Sequence, residues 1–213
     1  MPSKPATKPK PKPTAPHDGG DVRATCDAIE RYVGALKTDG VLALRPSVLK
    51  PQKPTAIASA EAKLGTPFPA DLKAFLTRGL RAAEGKLDEP YAHLGFDFLD
   101  VAGIVKNTAS AREIAGDGDD EHAALIRRGI AVTFAEPQLV VTDDGVWHFS
   151  FRNPPLRVAP SWAGFLTHWL AAGCFGSHSF TGLWAKVRKH VPVAITPAKN
   201  TWVRAYRKQF PSS

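Results

Sequence analysis

The side chains best equipped for chemistry in this chain fall into four groups. Asp117, Asp119, Asp120 and Glu121 crowd the stretch DGDDE, a set of oxygen donors that invites a calcium reading. The spacing fails that reading, because the glycine and the distal bidentate glutamate of an EF-hand loop are not at the required positions. Asp143 and Asp144 form a second acidic pair, with Arg152 following them. His168, Cys174 and His178 make an H-x5-C-x3-H string that His190 could complete as a zinc set, but the spacing corresponds to no standard zinc site. The fourth group is basic. Lys186, Arg188, Lys189, Lys199, Arg204, Arg207 and Lys208 are interleaved with Trp184, Trp202, Tyr206 and Phe210, and no acid occurs from 181 to 213. Such a mixture suits phosphate contacts with base stacking, an acidic protein surface, or weak adsorption to anionic membranes. It equally suits helices anchored on a core by their aromatic residues, with the charges simply solvated.

Covalent and nucleotide chemistry find no motif. G-x-S-x-G, the P-loop and G-x-G-x-x-G are all absent from the sequence, and an isolated histidine on a strand pattern, such as His148, reads as structural. The expectation is a protein that is not an enzyme and needs no cofactor or metal. Cys26 and Cys174 lie far apart without a CxxC pair, which fits free thiols in a reducing cytoplasm. No apolar run reaches the roughly 18–20 residues of a membrane helix, and the N-terminus has no apolar segment of a secretory signal.

The charge of +8 is concentrated at the two ends. Residues 1–20 hold Lys4, Lys8, Lys10 and Lys12 against Asp18, and with the basic C-terminal residues set aside the centre carries seventeen basic and nineteen acidic residues. The first twenty residues, rich in proline and lysine and lacking large apolar side chains, read as a disordered tail.

The elements that must position these groups are legible in part. Val22, Cys26, Ile29, Val33 and Leu36 form a helical stripe ahead of Gly40, and residues 41–54 read as an extended connector. Ile57 to Leu76 reads as two short helices joined by an elbow. Ile57, Ala60, Glu61 and Leu64 have helical spacing, Gly65 is a natural stop, Pro67 and Pro69 bar continuation, and Leu72, Phe75 and Leu76 line the second helix. Residues 79–90 read as turn-like. His93 to Leu99 resembles a strand, and Asp100 caps a helix carrying Val101, Ile104 and Val105. A short helix ends near Arg128. Strands follow at 130–134, 138–142 and 146–151, the last two joined by the hairpin signal Asp-Gly. Ser161 caps a helix with Trp162, Phe165, Leu166, Trp169 and Leu170 at sheet-packing spacing. Residues 180–190 and 199–210 read as two more helices. The fold class is therefore α+β, an antiparallel strand meander packed against helices, with residues 21–175 as the domain and 176–213 as a basic helical extension.

In this order the elements resemble the SUKH superfamily, which includes fungal cell-wall-synthesis regulators and bacterial immunity proteins. The resemblance rests on Ile57, Glu61, Leu64-Gly65, Pro69 and Asp71-Leu72 in the elbow, and on Ser161 with Phe165-Leu166 in the closing helix. It covers residues 20–175. The chain departs from the pattern after the second elbow helix, where Arg78-Gly79 replaces the usual Asn-Gly and residues 79–90 lack the usual aromatic and glycine pattern. The resemblance implies a cytoplasmic, non-catalytic module that binds a protein, most often a toxin, and blocks it. On that reading Asp117, Asp119, Asp120, Glu121, Asp143, Asp144 and Arg152 are candidate partner contacts, while Trp147 belongs to the core. The alternative is a nucleic-acid-associated protein whose C-terminal extension binds phosphates.

Overall fold

The computed structural model describes residues 21–39, 44–86, 93–94, 98–118, 120–133, 138–150, 153–174, 187–193, 195 and 199–209. The fold is mixed α+β. Helix α1 (Val22–Thr38) begins where the Asp21 carboxylate accepts from the Arg23 and Ala24 amides. Its stripe is buried at Val22, Cys26, Ile29 and Leu36, with Tyr32 inside as well. The elbow consists of α2 (Pro54–Leu64) and α3 (Ala70–Arg78). Pro54 sits in the first turn of α2, where a missing amide hydrogen leaves nothing unpaired. Gly65 ends the helix in the left-handed conformation, φ 61°.

Two segments expected to be irregular are strands. Residues 44–49, within the predicted connector, form β1 (Leu44–Leu49), and residues 80–86, within the predicted turn-like loop, form β2 (Leu80–Lys86). They pair antiparallel from Leu44↔Gly85 to Leu49↔Leu80. A short β3 (His93–Leu94) completes a sheet of order β1-β2-β3. Of the predicted 93–99 strand, His93–Leu94 are strand and Phe98 makes an isolated bridge to Thr133, while residues 95–97 lie outside the described set.

Asp100 caps α4 (Val101–Ala115) through the Gly103 amide, and Asp120 caps α5 (Glu121–Arg128) through the Ala123 amide. The second sheet runs β4 (Ile130–Ala131), β5 (Gln138–Thr142), β6 (Gly145–Ser150) and β7 (Asn153–Ala159), in that order and antiparallel throughout. The Asp-Gly hairpin joins β5 to β6 in register Thr142↔Gly145.

Helix α6 (Trp162–Ala171) opens on the Ser161 cap. Its spacing suggests one apolar face, yet it is buried nearly all round, because α1, α3, the second sheet and the C-terminal helix surround it. In the described part of 180–190, only Val187 is α-helical, and Arg188–His190 forms a 3-10 turn. The last helix, α7 (Thr201–Gln209), docks on β7 and α6.

One aromatic cluster joins these layers. Phe75 from the elbow meets Phe98 at 5.4 Å and Trp162 at 5.1 Å between ring centres. Phe98 reaches Trp169 at 5.6 Å, and Phe165 reaches Trp202 of α7 at 5.6 Å, both edge-on. Edge-on pairs of this kind add about 0.5–1.5 kcal/mol each to the area they bury. No described helix is long and apolar enough to cross a membrane.

Candidate functional site

The elbow residues form a bonded unit. Glu61 accepts from the Phe68 amide at 2.7 Å and from Lys73 Nζ at 3.2 Å, so the carboxylate on α2 closes the loop that starts α3. The Phe68 bond, helped by Lys73 and opposed by partial desolvation, holds the Glu61 carboxyl below its usual range. Asp71 accepts from the Ala163 amide at 3.0 Å, joining the second elbow helix to the first turn of α6. A carboxylate there complements the positive end of the α6 dipole.

At Arg78-Gly79 the chain turns from α3 into β2. Gly79 has φ 73°, and a Cβ would lie 2.5 Å from the Leu49 carbonyl oxygen, so only glycine fits. Arg78 reaches back to α1, donating to Asp27 at 2.5 Å and to Glu30 at 2.7 Å. The Arg78 bonds hold both carboxyls below their usual ranges. Arg78 therefore anchors the first helix.

Arg112 is a second internal clasp. Its guanidinium donates to the Leu64 carbonyl at 2.7 Å, the Thr66 hydroxyl at 2.9 Å and the Gly129 carbonyl at 3.1 Å. Leu64 ends α2 and Gly129 caps α5, so one cation from α4 meets the negative ends of two helices.

The acidic stretch lies where α4 ends and α5 begins. Asp117 and Glu121 are exposed, and Asp120 is exposed while capping α5. Asp119 lies outside the described residues. Arg127 supports this turn from below, donating to the carbonyls of Gly116 at 3.2 Å and Gly118 at 2.7 Å. Sequence reasoning missed two neighbours. Ile114 is 69% exposed and is the one large hydrophobic side chain so exposed among the described residues. Its signal was its position off the stripe formed by Val101, Ile104 and Thr108. The other is His122, whose ring packs edge-on against Phe149 at 5.6 Å. Between α4, α5 and β6 these residues border a cavity of about 280 Å³, with Ala111, Ala123 and Ile126 on its walls.

The hairpin acids behave differently from each other. Asp143 is open to solvent, 3.8 Å from Arg128 Nη1. Asp144 accepts from the Thr142 hydroxyl and from Trp147 Nε1 at 3.1 Å, and pairs with Arg128 at 3.3 Å. Burial pushes its carboxyl up, but these bonds and the Arg128 charge outweigh burial and leave it low. Arg157 donates to the Asp144 carbonyl. Trp147, expected in the core, is half-buried, packed on Leu125, Ile126, Val140 and Phe149 and capped by the Arg128 guanidinium 5.7 Å from its ring centre. Arg152 lies outside the described residues.

Among the described residues the H-x5-C-x3-H string is not gathered into a metal site. His168 Nδ1 accepts from the Thr201 amide at 3.1 Å, while the Asn200 side chain donates to the His168 carbonyl at 2.8 Å. Burial lowers the His168 pKa, with Asn200 opposing it weakly. Cys174 is buried and unbridged, as is Cys26. His190 stands 3.4 Å from Asp39, and His178 lies outside the described residues. Among the described residues no group of three or more His, Cys, Asp or Glu is placed to hold a metal ion.

Of the basic residues, Arg188, Lys199 and Arg204 are exposed, and Lys189 reaches Asp39 at 3.9 Å. Arg207 and Lys208 lie on α7, but their side chains, like Lys186, fall outside the described set. Trp202, Val203 and Ala205 on the same helix are buried in the main core with Val187. Comparison with models of known protein families and with curated proteins finds no match for this chain.

Proposed function

We propose that this chain is a SUKH-like, cytoplasmic protein-binding module, and specifically an immunity protein that binds a cognate toxin and occludes its active site. The observation that supports this reading is the bonding of the elbow residues. Glu61 closes the elbow on Phe68, and Asp71 ties it to the closing helix at Ala163, so the residues that carry the resemblance work as one scaffold rather than as scattered matches. Such a scaffold leaves its loops free to carry partner specificity. The test is affinity purification of the full-length chain with and without nuclease, followed by titration of the captured protein's activity. The expected result is one protein that survives nuclease and loses activity at one equivalent.

A second reading, binding to nucleic acid, draws on Arg204 exposed on a helix whose other side is buried, with Arg188 and Lys199 exposed nearby in sequence. It requires affinity that falls steeply with salt. Salt-insensitive or absent binding to nucleic acid removes it.

A further inference from the structure

We infer that the cleft between α4, α5 and β6 is the partner-docking site, and that it takes a large apolar side chain from a basic segment of the partner protein. This rests on the reading of the chain as a protein-binding module, but not on the partner being a toxin.

The floor of the cleft is Phe149, 1% exposed, and Ile126 and Ala123 line it at 4% each. Ile114 stands at its edge and His122, held against Phe149, forms one wall. At about 280 Å³ the space lies just below the range of roughly 300–1,000 Å³ typical of small-molecule pockets. It has room for one inserted side chain. Ile114, 69% exposed, forgoes the stabilisation that burying such a side chain supplies, and docking would recover part of it.

The charge around the cleft selects the occupant. Glu113 flanks Ile114, Asp120 lines the cavity, and Asp117 and Glu121 are exposed on the intervening turn and the first turn of α5. Of the bases on α5, Arg127 is directed to the carbonyls of Gly116 and Gly118, and Arg128 to Asp144. The other base at this corner, Arg112, is directed to Leu64, Thr66 and Gly129. Among the described residues the cavity lining therefore holds an acid, Asp120, and no Lys or Arg, on a chain whose net charge is +8. A basic segment is drawn to this corner, which sets orientation as well as encounter rate. An apolar anchor surrounded by charges that steer it is the usual anatomy of a protein interface.

The test pans a random dodecapeptide display library on the immobilised full-length protein and measures selected peptides by fluorescence anisotropy. The expected peptides carry Phe, Leu, Ile or Trp flanked by Lys or Arg. Their affinity should fall at least about tenfold, or about 1.4 kcal/mol, with Ile114→Lys and with Asp117→Lys. Both positions are exposed, so both variants should keep the wild-type melting temperature. Enrichment without basic or apolar bias, no enrichment, or peptides that bind both variants as tightly as wild type would overturn the assignment. Self-association of the wild-type chain that Ile114→Lys abolishes would also overturn it, by giving the cleft to a second copy. If Ile114→Lys and Asp117→Lys still capture the partner that wild type captures, the docking site is wrong and the binding module stands. If wild type captures no partner, the module reading itself fails.

Discussion

At the scale of single residues, Glu61 has the clearest consequence. Its carboxylate is part-buried and accepts from the Phe68 backbone amide at 2.7 Å, just ahead of α3. Glu61→Ala should cost about 1–3 kcal/mol, the range for losing a charge-assisted bond and leaving a donor unpaired, measured by urea unfolding. Because its folded pKa is lowered, the stability Glu61 contributes is present above the unfolded value near 4.5 and is lost as pH falls through the folded pKa. Glu61→Gln should therefore flatten that part of the acid-unfolding profile, and an unchanged profile would contradict the role assigned to the carboxylate. The thiols give an independent check on packing. Burial pushes Cys26 up to about 12, against a smaller opposing effect of Arg78, and raises Cys174 well above its usual value. Neither should react with a thiol reagent at neutral pH until the protein is unfolded; rapid native labelling of either would contradict the described core.

At the scale of elements, α7 decides whether the basic C-terminal segment is appended or integral. Trp202 is 2% exposed and edge-on to both Phe165 and His148. Trp202→Ala should cost about 3–5 kcal/mol, whereas Arg204→Ala, on the exposed side, should stay within about 0.5 kcal/mol. Equal small effects in urea unfolding would mean that α7 does not dock. The docking is also sensitive to acid. His168 holds the Thr201 amide through Nδ1 and so must be neutral. Its lowered pKa makes the native state lose stability as pH falls below about 6.5 and through the folded pKa, and His168→Gln should reduce that slope in thermal melts at pH 5–7.

The same scale shows what was legible. The elbow could be read because glycine and proline punctuate it, and the β5–β6 hairpin because Asp-Gly favours that turn. The β1–β2 pair could not. LRPSVL contains Pro46, tolerated because β1 is an edge strand in the order β1-β2-β3. RAAEGK offers alanine, glutamate, glycine and lysine, all poor strand formers, and it is a strand because β1 and β3 pair with it. The acids of 117–121 were evident as types, but Ile114 was not singled out, although it falls off the helical stripe of Val101, Ile104 and Thr108. The cleft beneath them was not, since its floor, Phe149, comes from a strand far along the chain.

At the scale of the whole molecule, charge and apolar exposure are distributed unequally. Basic residues gather toward the ends, while the α4–α5 corner pairs carboxylates with the one exposed large hydrophobic side chain of the described residues. A protein arranged this way should bind its partner with an on-rate that falls as salt rises and an off-rate governed by Ile114. Surface plasmon resonance on the wild type and Ile114→Lys should separate the two. The most direct measurement remains purification of the full-length chain with and without nuclease, with the captured protein's activity titrated against it. One partner that survives nuclease and is silenced at one equivalent is the expected result. Recovery of nucleic acid alone, or of partners that nuclease releases, would contradict it.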